Sequence, residues 1–590
     1  MFIDPIISAF TNGPIHKGYF PREAKTLSIA IAPPTTAGIS PDKFPEALIF
    51  ANNRKVAAII VGIFLIIGFG LRVNDLGAES LGEDELNKLQ TVEEYRTNGL
   101  TGKNGEHPFL MKGLQTVSIA GAEKWNELVT TEELLVSPEA ALRFPVALLG
   151  TLSILLIFLL VTELFGRSIA LIAAILWAVE PAAIGFDRIA KEDSLVLFFF
   201  LLANFFWVRA QTLAESGKER WPRYLWAAAA AFAALMASKY YPHLLAVLGA
   251  YYIIFVSIPT HKWDLGKTKW LKFFIVMGAA FLILNPTILL PDTWREMLKF
   301  STEKRIGHDS YEYMGVLYPN QMTKWLNGVP WTFYYVFIAV KTSLPTLLLF
   351  LIGLPLMFQR KLGDGRYLIF FWAFMWFMPF TVLGGKFTRY FTLVEPLILI
   401  TAAVGLCFTM ELASKKLVGG AKYAVQILLL VIVSAVPLAN SLSVSPHYRM
   451  FTNVIGGGMS AAGSYFPHDE FYDAATSAII AEISAQAPEG ATVACETPAL
   501  FEYYAGKIHR RDLKFVSLSE PSSVGLLKRG DMIVLAKGRR YFSNARYQAY
   551  LETSQSPSII VTMLGVEAAR IYLIDDEALA DIHAMASSAN

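Results

Sequence analysis

Residues 56–85 read VAAIIVGIFLIIGFGLRVNDLGAESLGEDE. The first seventeen, Val56 to Arg72, are almost wholly apolar. As a helix at 1.5 Å per residue they reach about 26 Å, close to the thickness of a bilayer's hydrocarbon core. Within a dozen residues the chain then places three acids in a row, Glu83, Asp84 and Glu85. Acids at such a position are ordinarily solvated loop charges. They can also mark a polar cavity where a membrane bundle meets water.

Composition extends the first reading to the whole chain. Of 590 residues 54% are hydrophobic and 17% charged, against about 25% charged in ordinary soluble domains, and mean hydropathy is +0.43. This is the composition of a polytopic membrane protein with polar parts. A net charge of +2 gives no electrostatic case for nucleic acid. Cys407 lies in an apolar run and Cys495 in a polar one, so no disulfide is expected between them. Residues 1–50 are Pro-rich and mixed, without the apolar core of a signal peptide.

Spanning runs recur about eleven times, near 56–72, 140–162, 168–185, 193–210, 223–238, 242–258, 271–290, 331–357, 367–384, 391–411 and 423–440. Basic clusters fall on alternate loops: Arg54–Lys55, Arg209 to Arg223, Lys262 to Lys272, Arg360 to Arg366, and Lys415 to Lys422. Cytoplasmic loops carry such an excess. The expectation is a cytoplasmic N-terminal segment (1–55), a transmembrane domain (56–440), a linker (441–469) and an extracytoplasmic domain (470–590). Segments 73–139 and 291–330 become long external loops. The fold class expected is thus a polytopic α-helical membrane protein of about eleven spans with a small C-terminal α/β domain. In that domain DAATSAIIAEISAQA has helical spacing, while ATVACE, DMIVLAK and RIYLID read as strands. IGGGMSAAGS (455–464) reads as a flexible link into it.

Chemistry-bearing residues gather at the expected external face. On a helix Asp84 and Glu85 point about 100° apart, so one can face a cavity while the other makes a structural hydrogen bond. EHPFLMKG (106–113) brings His107 and Lys112 to the interface. FDRIAKEDSLVLFFF (186–200) sets Arg188 and Asp193 at the mouth of an apolar span, where ionisable groups are costly. A guanidinium there can hold a phosphate; equally, Asp193 can pair with Arg188 or cap the next helix. Lys239, in ASKYYPH, needs an anion or must snorkel. Lys386, Arg389 and Tyr390, in GGKFTRYFTLVEP, break the positive-inside trend and ask for an anionic partner such as a lipid phosphate.

In this order the motifs resemble the protein O-mannosyltransferase family of the C superfamily of membrane glycosyltransferases, which also holds the aminoarabinose transferase of lipid A. The resemblance covers roughly 56–440. Asp84-Glu85 is similar to the family's acidic pair after the first span, HPFLMK to His-Pro-Pro-Leu-Gly-Lys, RIAKEDS to Arg-x-x-x-x-Asp-Ser, SKYY to Ser-Lys-Trp, and TRYFTLVEPLILI to a late segment of bacterial relatives. The chain departs from the pattern at Phe109 and Met111, which replace Pro and Gly, and at Lys191 and Glu192, which replace an apolar pair.

The resemblance implies an inverting transfer from a polyprenyl-phosphate sugar, mannose or another hexose, to an extracytoplasmic acceptor. Protein Ser/Thr hydroxyls are the first expectation, and a lipid or envelope glycan the alternative. Asp84 would be the general base. Glu85 would orient the acceptor or His107. Arg188, Lys239, Lys386 and Arg389 would hold the donor phosphate, with His107, Lys112, Asp193 and Tyr390 in support. No metal is required, although Asp84, Glu85 and His107 are possible ligands. The setting implied is a bacterial inner membrane, with the donor, a protein or glycolipid acceptor and membrane lipid as partners. A transporter is the rival outside enzymes; the charges gathered near one face, and the large first external segment, favour an enzyme over it and over a scaffold.

Overall fold

The computed structural model describes residues 48–257, 263, 265–303 and 308–587; most of the expected cytoplasmic segment lies outside them. Among these residues six helical stretches are long and apolar enough to cross a membrane: Arg54–Val73, Glu132–Phe165, Glu192–Glu215, Gly365–Val382, Glu395–Ser414 and Gly419–Val444. Arg167–Val179, Pro242–Ile254 and Leu344–Leu356 are shorter apolar helices. This is the architecture of a polytopic helical membrane protein. Two further helices, Trp221–Ser238 and Gly266–Leu284, fall where spans are expected.

Local chemistry starts the helices. The Asn53 side chain accepts hydrogen bonds from the N–H groups of Lys55 and Val56. Ser137 accepts from Ala140, with Pro138 opening the helix behind it. Small residues then set the packing. A Cβ on Gly353 would lie 1.9 Å from the Thr401 carbonyl oxygen, and one on Gly405 2.1 Å from that of Leu349. The Leu344–Leu356 and Glu395–Ser414 backbones therefore touch, as small-residue interfaces in membranes allow.

The run 331–357, expected as one span, is two helices, Phe333–Lys341 and Leu344–Leu356. Pro345 cannot donate to the helical ladder and disfavours helical geometry just before itself. The freed groups find other partners. Ser343 N–H donates to Glu180 Oε1 (2.5 Å), and the Asn453 amide donates to the carbonyls of Ala339 and Thr342 (2.7 and 2.8 Å).

Outside the spans, segment 73–139 folds into helices Glu83–Asn98 and Phe109–Leu128. Segment 291–330 holds a hairpin, β1 (Ser310–Tyr313) and β2 (Val316–Pro319). Its two turn residues, Met314 and Gly315, both have positive φ, the geometry that matches strand twist. The tail carries a five-stranded sheet of β3 (Thr492–Cys495), β4 (Lys514–Ser517), β5 (Met532–Ala536), β6 (Ile559–Met563) and β7 (Val566–Leu573), in the order β4-β3-β5-β7-β6. β3 pairs parallel with β4 and β5; β7 pairs antiparallel with β5 and β6. The expected helix is Thr476–Gln486. The described residues form one compact unit, and the stretch read as a flexible link is tied down. Asn453 caps Ile455 and Gly456, and Glu470 takes the N–H of Gly463 while pairing with buried Lys341 at 3.0 Å.

Candidate functional site

Helix Glu83–Asn98 places the two acids on different sides, and their surroundings separate them. Glu85 is fully buried. Its carboxylate accepts from Arg143 Nε (2.9 Å) and Nη2 (2.7 Å), from Gly82 N–H (2.8 Å) and from Ala190 N–H (2.6 Å). Arg143 also donates to the carbonyls of Leu76, Glu79 and Ser80. The pair thus fixes the loop that leads into the helix, and Glu85 has no face left for a substrate. Nor does it orient His107: that ring faces Glu192 at 3.3 Å.

Asp84 keeps 42% of its side chain open and is paired with Lys191. Burial pushes its acidity one way, but Lys191, Arg389 and Lys88 together hold the carboxyl well below its usual range. It is an ionised, partly accessible carboxylate in a cationic setting. Lys191 is lowered too: burial brings it to about 8 against the opposing charge of Asp84.

Around this pair lie two more bridges. Glu192 binds Lys88 Nζ at 3.1 Å as well as His107. Burial lowers His107 to about 3, so its ring is neutral. Lys239 reaches Asp193 Oδ1 at 3.0 Å and stands over the rings of Tyr241 and Tyr390, at 5.0 and 5.2 Å. Arg389 lies over the Phe387 ring at 4.1 Å, 3.9 Å from Asp469, and within the field of Asp84. Four cations (Lys88, Lys191, Lys239, Arg389) thus meet four anions (Asp84, Glu192, Asp193, Asp469). One Asp193 oxygen, buried, has no hydrogen-bond partner among the described residues.

Two residues expected at a donor phosphate, Arg188 and Lys386, and one expected in support, Lys112, are spent elsewhere. Arg188 donates to the carbonyls of Leu71, Arg72, Asn74 and Asp75. Those oxygens close helix Arg54–Val73, where the last carbonyls lack helical partners. Its guanidinium also lies over Tyr448 at 5.2 Å. Lys386 is fully buried and donates to the carbonyls of Val329 and Leu383. Lys112 gathers the carbonyls of Asn104 (2.7 Å) and His107 (2.9 Å). Each clamps backbone. Among the described residues Asp84, Glu85 and His107 form no group that could hold a metal.

Sequence reasoning passed over Lys88; it met Lys191 and Glu192 as charges at the mouth of an apolar span and as departures from a pattern, but assigned them no role. Adjoining Asp193, they carry the same cost as Asp193 itself.

Residues 129–290 match the family described as dolichyl-phosphate-mannose-protein mannosyltransferase. The chain is mannosyltransferase-like across this segment. It contains Arg143, Arg188, Lys191, Glu192, Asp193 and Lys239; Asp84 and Arg389 lie outside it. The putative mannosyltransferase YkcB of Bacillus subtilis (strain 168) is 38% identical over 77 residues, 13% of this chain and 10% of that protein; the match thus spans a tenth of that relative's length. Among solved structures, ArnT from Cupriavidus metallidurans bound to undecaprenyl phosphate is 15% identical, over 87% of this chain and 97% of that one, with a TM-score of 0.45. The Archaeoglobus fulgidus oligosaccharyltransferase with a tethered acceptor peptide is 12% identical over 81% and 69%, with a TM-score of 0.46. The S. cerevisiae Pmt1-Pmt2 complex bound to the sugar donor is 17% identical over 43% and 35%, with a TM-score of 0.31.

Proposed function

We propose that the protein is an inverting membrane glycosyltransferase that moves a hexose, mannose first, from a polyprenyl-phosphate carrier to a hydroxyl outside the cytoplasm. The observation that carries the reading is Asp84: an ionised, partly accessible carboxylate held among the cations Lys191, Arg389 and Lys88. The match of residues 129–290 to a mannosyltransferase family supports the same class of donor. Eleven spans, with the N-terminus in the cytoplasm and the tail outside, belong to this reading, as does a bacterial inner membrane.

The chemistry follows from the charges. Asp84 takes the proton of the acceptor hydroxyl as that oxygen attacks the anomeric carbon. The bond from that carbon to the phosphate oxygen breaks, and the phosphate leaves with the electron pair. Lys191, Arg389 and Lys239 meet the growing charge; such preorganised cations are worth most in a site shielded from water. Paired with Lys191, Asp84 is a poor base. A donor phosphate that draws Lys191 toward itself returns basicity to Asp84, so donor binding arms the base. A transporter would have no use for that arrangement. Protein Ser/Thr is the first acceptor proposed, with a glycolipid as the alternative.

The test is transfer of labelled mannose from polyprenyl-phosphate mannose by the purified protein, offered a Ser/Thr-rich peptide and, separately, an envelope-lipid extract. Label on peptide supports a protein acceptor and label on lipid the alternative. Transfer that Asp84→Asn leaves untouched defeats the assignment of the base.

A further inference from the structure

The tail, which lies outside the segment matched to the mannosyltransferase family, puts one side chain against the helix that carries Asp84. Tyr472 is 6% exposed. Its ring covers Gly82, where an added Cβ would lie 2.3 Å from the ring. Arg449 stands over the same ring at 5.2 Å. The phenol oxygen is buried and has no hydrogen-bond partner among the described residues. Buried hydroxyls are nearly always paired, and an orphan asks for an explanation such as an absent ligand.

The backbone under this ring is costly to hold. Tyr472 and Asp473 both have positive φ, 43° and 61°, a region that non-glycine residues seldom enter and that clusters at functional sites. Strong contacts fix it there. Asp473 accepts the N–H of Glu83 (3.2 Å), the first residue of the Asp84 helix. Arg539 grips Asp473 through Nε (2.7 Å) and Nη2, and extends Nη1 to Glu83 (3.2 Å). The tail therefore caps the Asp84 helix from another part of the chain and presents Tyr472 beside its first turn.

We infer that the Tyr472 hydroxyl is a substrate-binding group of the transfer site, a hydrogen-bond donor to an oxygen of the donor's phosphate, with Asp473 and Arg539 as its positioning residues. Two features favour a phosphate over an acceptor hydroxyl. The hydroxyl has no acceptor of its own, and the cations Arg389 and Lys191 act at Asp84 beside it, Arg389 on the phenol as well. Burial, then the charge of Asp84, raise the phenol well above its usual range, so it keeps its proton and can donate.

The inference rests on the glycosyltransferase reading, and the experiment separates the two. Binding of a short-chain polyprenyl phosphate to the detergent-purified full chain would be measured for wild type, Tyr472→Phe, Arg539→Ala and Arg539→Lys, alongside transfer kinetics. Tyr472→Phe keeps the ring over Gly82 and removes only the hydroxyl. Loss of a hydrogen bond to a charged group predicts affinity about ten-fold weaker or more, with thermal stability unchanged. Arg539→Ala should weaken binding too, and Arg539→Lys should restore part of it. Wild-type affinity and KM in Tyr472→Phe, with wild type binding the probe, would overturn the inference and leave the glycosyltransferase reading standing. Failure of wild type itself to bind the probe would overturn both.

Discussion

The adjacent acids Asp84 and Glu85 should respond to substitution in opposite ways. Glu85→Ala removes the acceptor of four hydrogen bonds, two from Arg143 and one each from the N–H groups of Gly82 and Ala190. It leaves a guanidinium that is 2% exposed without its counter-charge. Deleting one partner of a buried pair costs about 3–5 kcal/mol. The four separate bonds would sum to more, but Arg143 keeps its three carbonyl partners, so the lower end, about 3 kcal/mol, applies. At about 2 °C per kcal/mol for a large domain, the melting temperature in detergent should fall by about 6 °C. Asp84→Asn touches only a part-exposed pair and should leave the melting temperature within about 1 °C, the usual range of surface changes. Transfer should behave the other way. Loss of a general base typically costs about 10²–10⁴-fold, while Glu85→Ala should lose activity only in step with folded protein. Measuring melting temperature and initial rate on the same preparations separates the two. A Glu85→Ala protein as stable as wild type, or an Asp84→Asn protein that melts early, would refute the division of labour.

Other outcomes follow from the same geometry. Lys191 loses its proton near pH 8, so its charge is present below that pH and lost above it; kcat/KM should fall as pH rises through about 8, and Lys191→Arg should carry activity to higher pH. Arg188→Ala should lower the melting temperature, because four carbonyls lose their donor, while properly folded protein keeps its affinity for a polyprenyl phosphate; a pure affinity loss would restore Arg188 as a phosphate ligand. Gly405→Val, placed where even a Cβ meets the Leu349 carbonyl at 2.1 Å, should cost at least the 1–3 kcal/mol typical of overpacking, about 2–6 °C in melting temperature.

The sequence showed the helices well, because runs such as Val56–Arg72 are apolar by necessity wherever they are placed. It half hid the break at Thr342–Ser343, since Lys341, Thr342 and Ser343 are a short polar interruption in an otherwise apolar run. These residues and Pro345 hinted at the break, but the groups that stabilise it, Glu180 and Asn453, lie far off in the chain. The hairpin 310–319 was missed for a related reason: Met314 is an unusual residue for a positive-φ turn position. At the site Asp84 stood out through the order of the motifs, since by position alone an acid beyond a span is ordinarily a solvated loop charge. Arg188 was misplaced because its cost is met by backbone. Nothing in a one-letter string shows that the carbonyls ending helix Arg54–Val73 need a donor from residue 188. Lys191 and Glu192 were visible as charges at the mouth of a span, but nothing in the pattern gave them a role. Tyr472 gave no signal at all, for its partners come from residue 82 and from residues 389 to 449.

The central claim is that Asp84 is the base of a transfer from a lipid-linked sugar. The most direct measurement is single-turnover transfer from polyprenyl-phosphate mannose by wild type and Asp84→Asn, with carrier binding measured on the same samples. The account predicts that the variant binds the carrier as wild type does, or more tightly because Lys191 is freed, and transfers at least about 10²-fold more slowly. A variant that binds normally and transfers at the wild-type rate would contradict it.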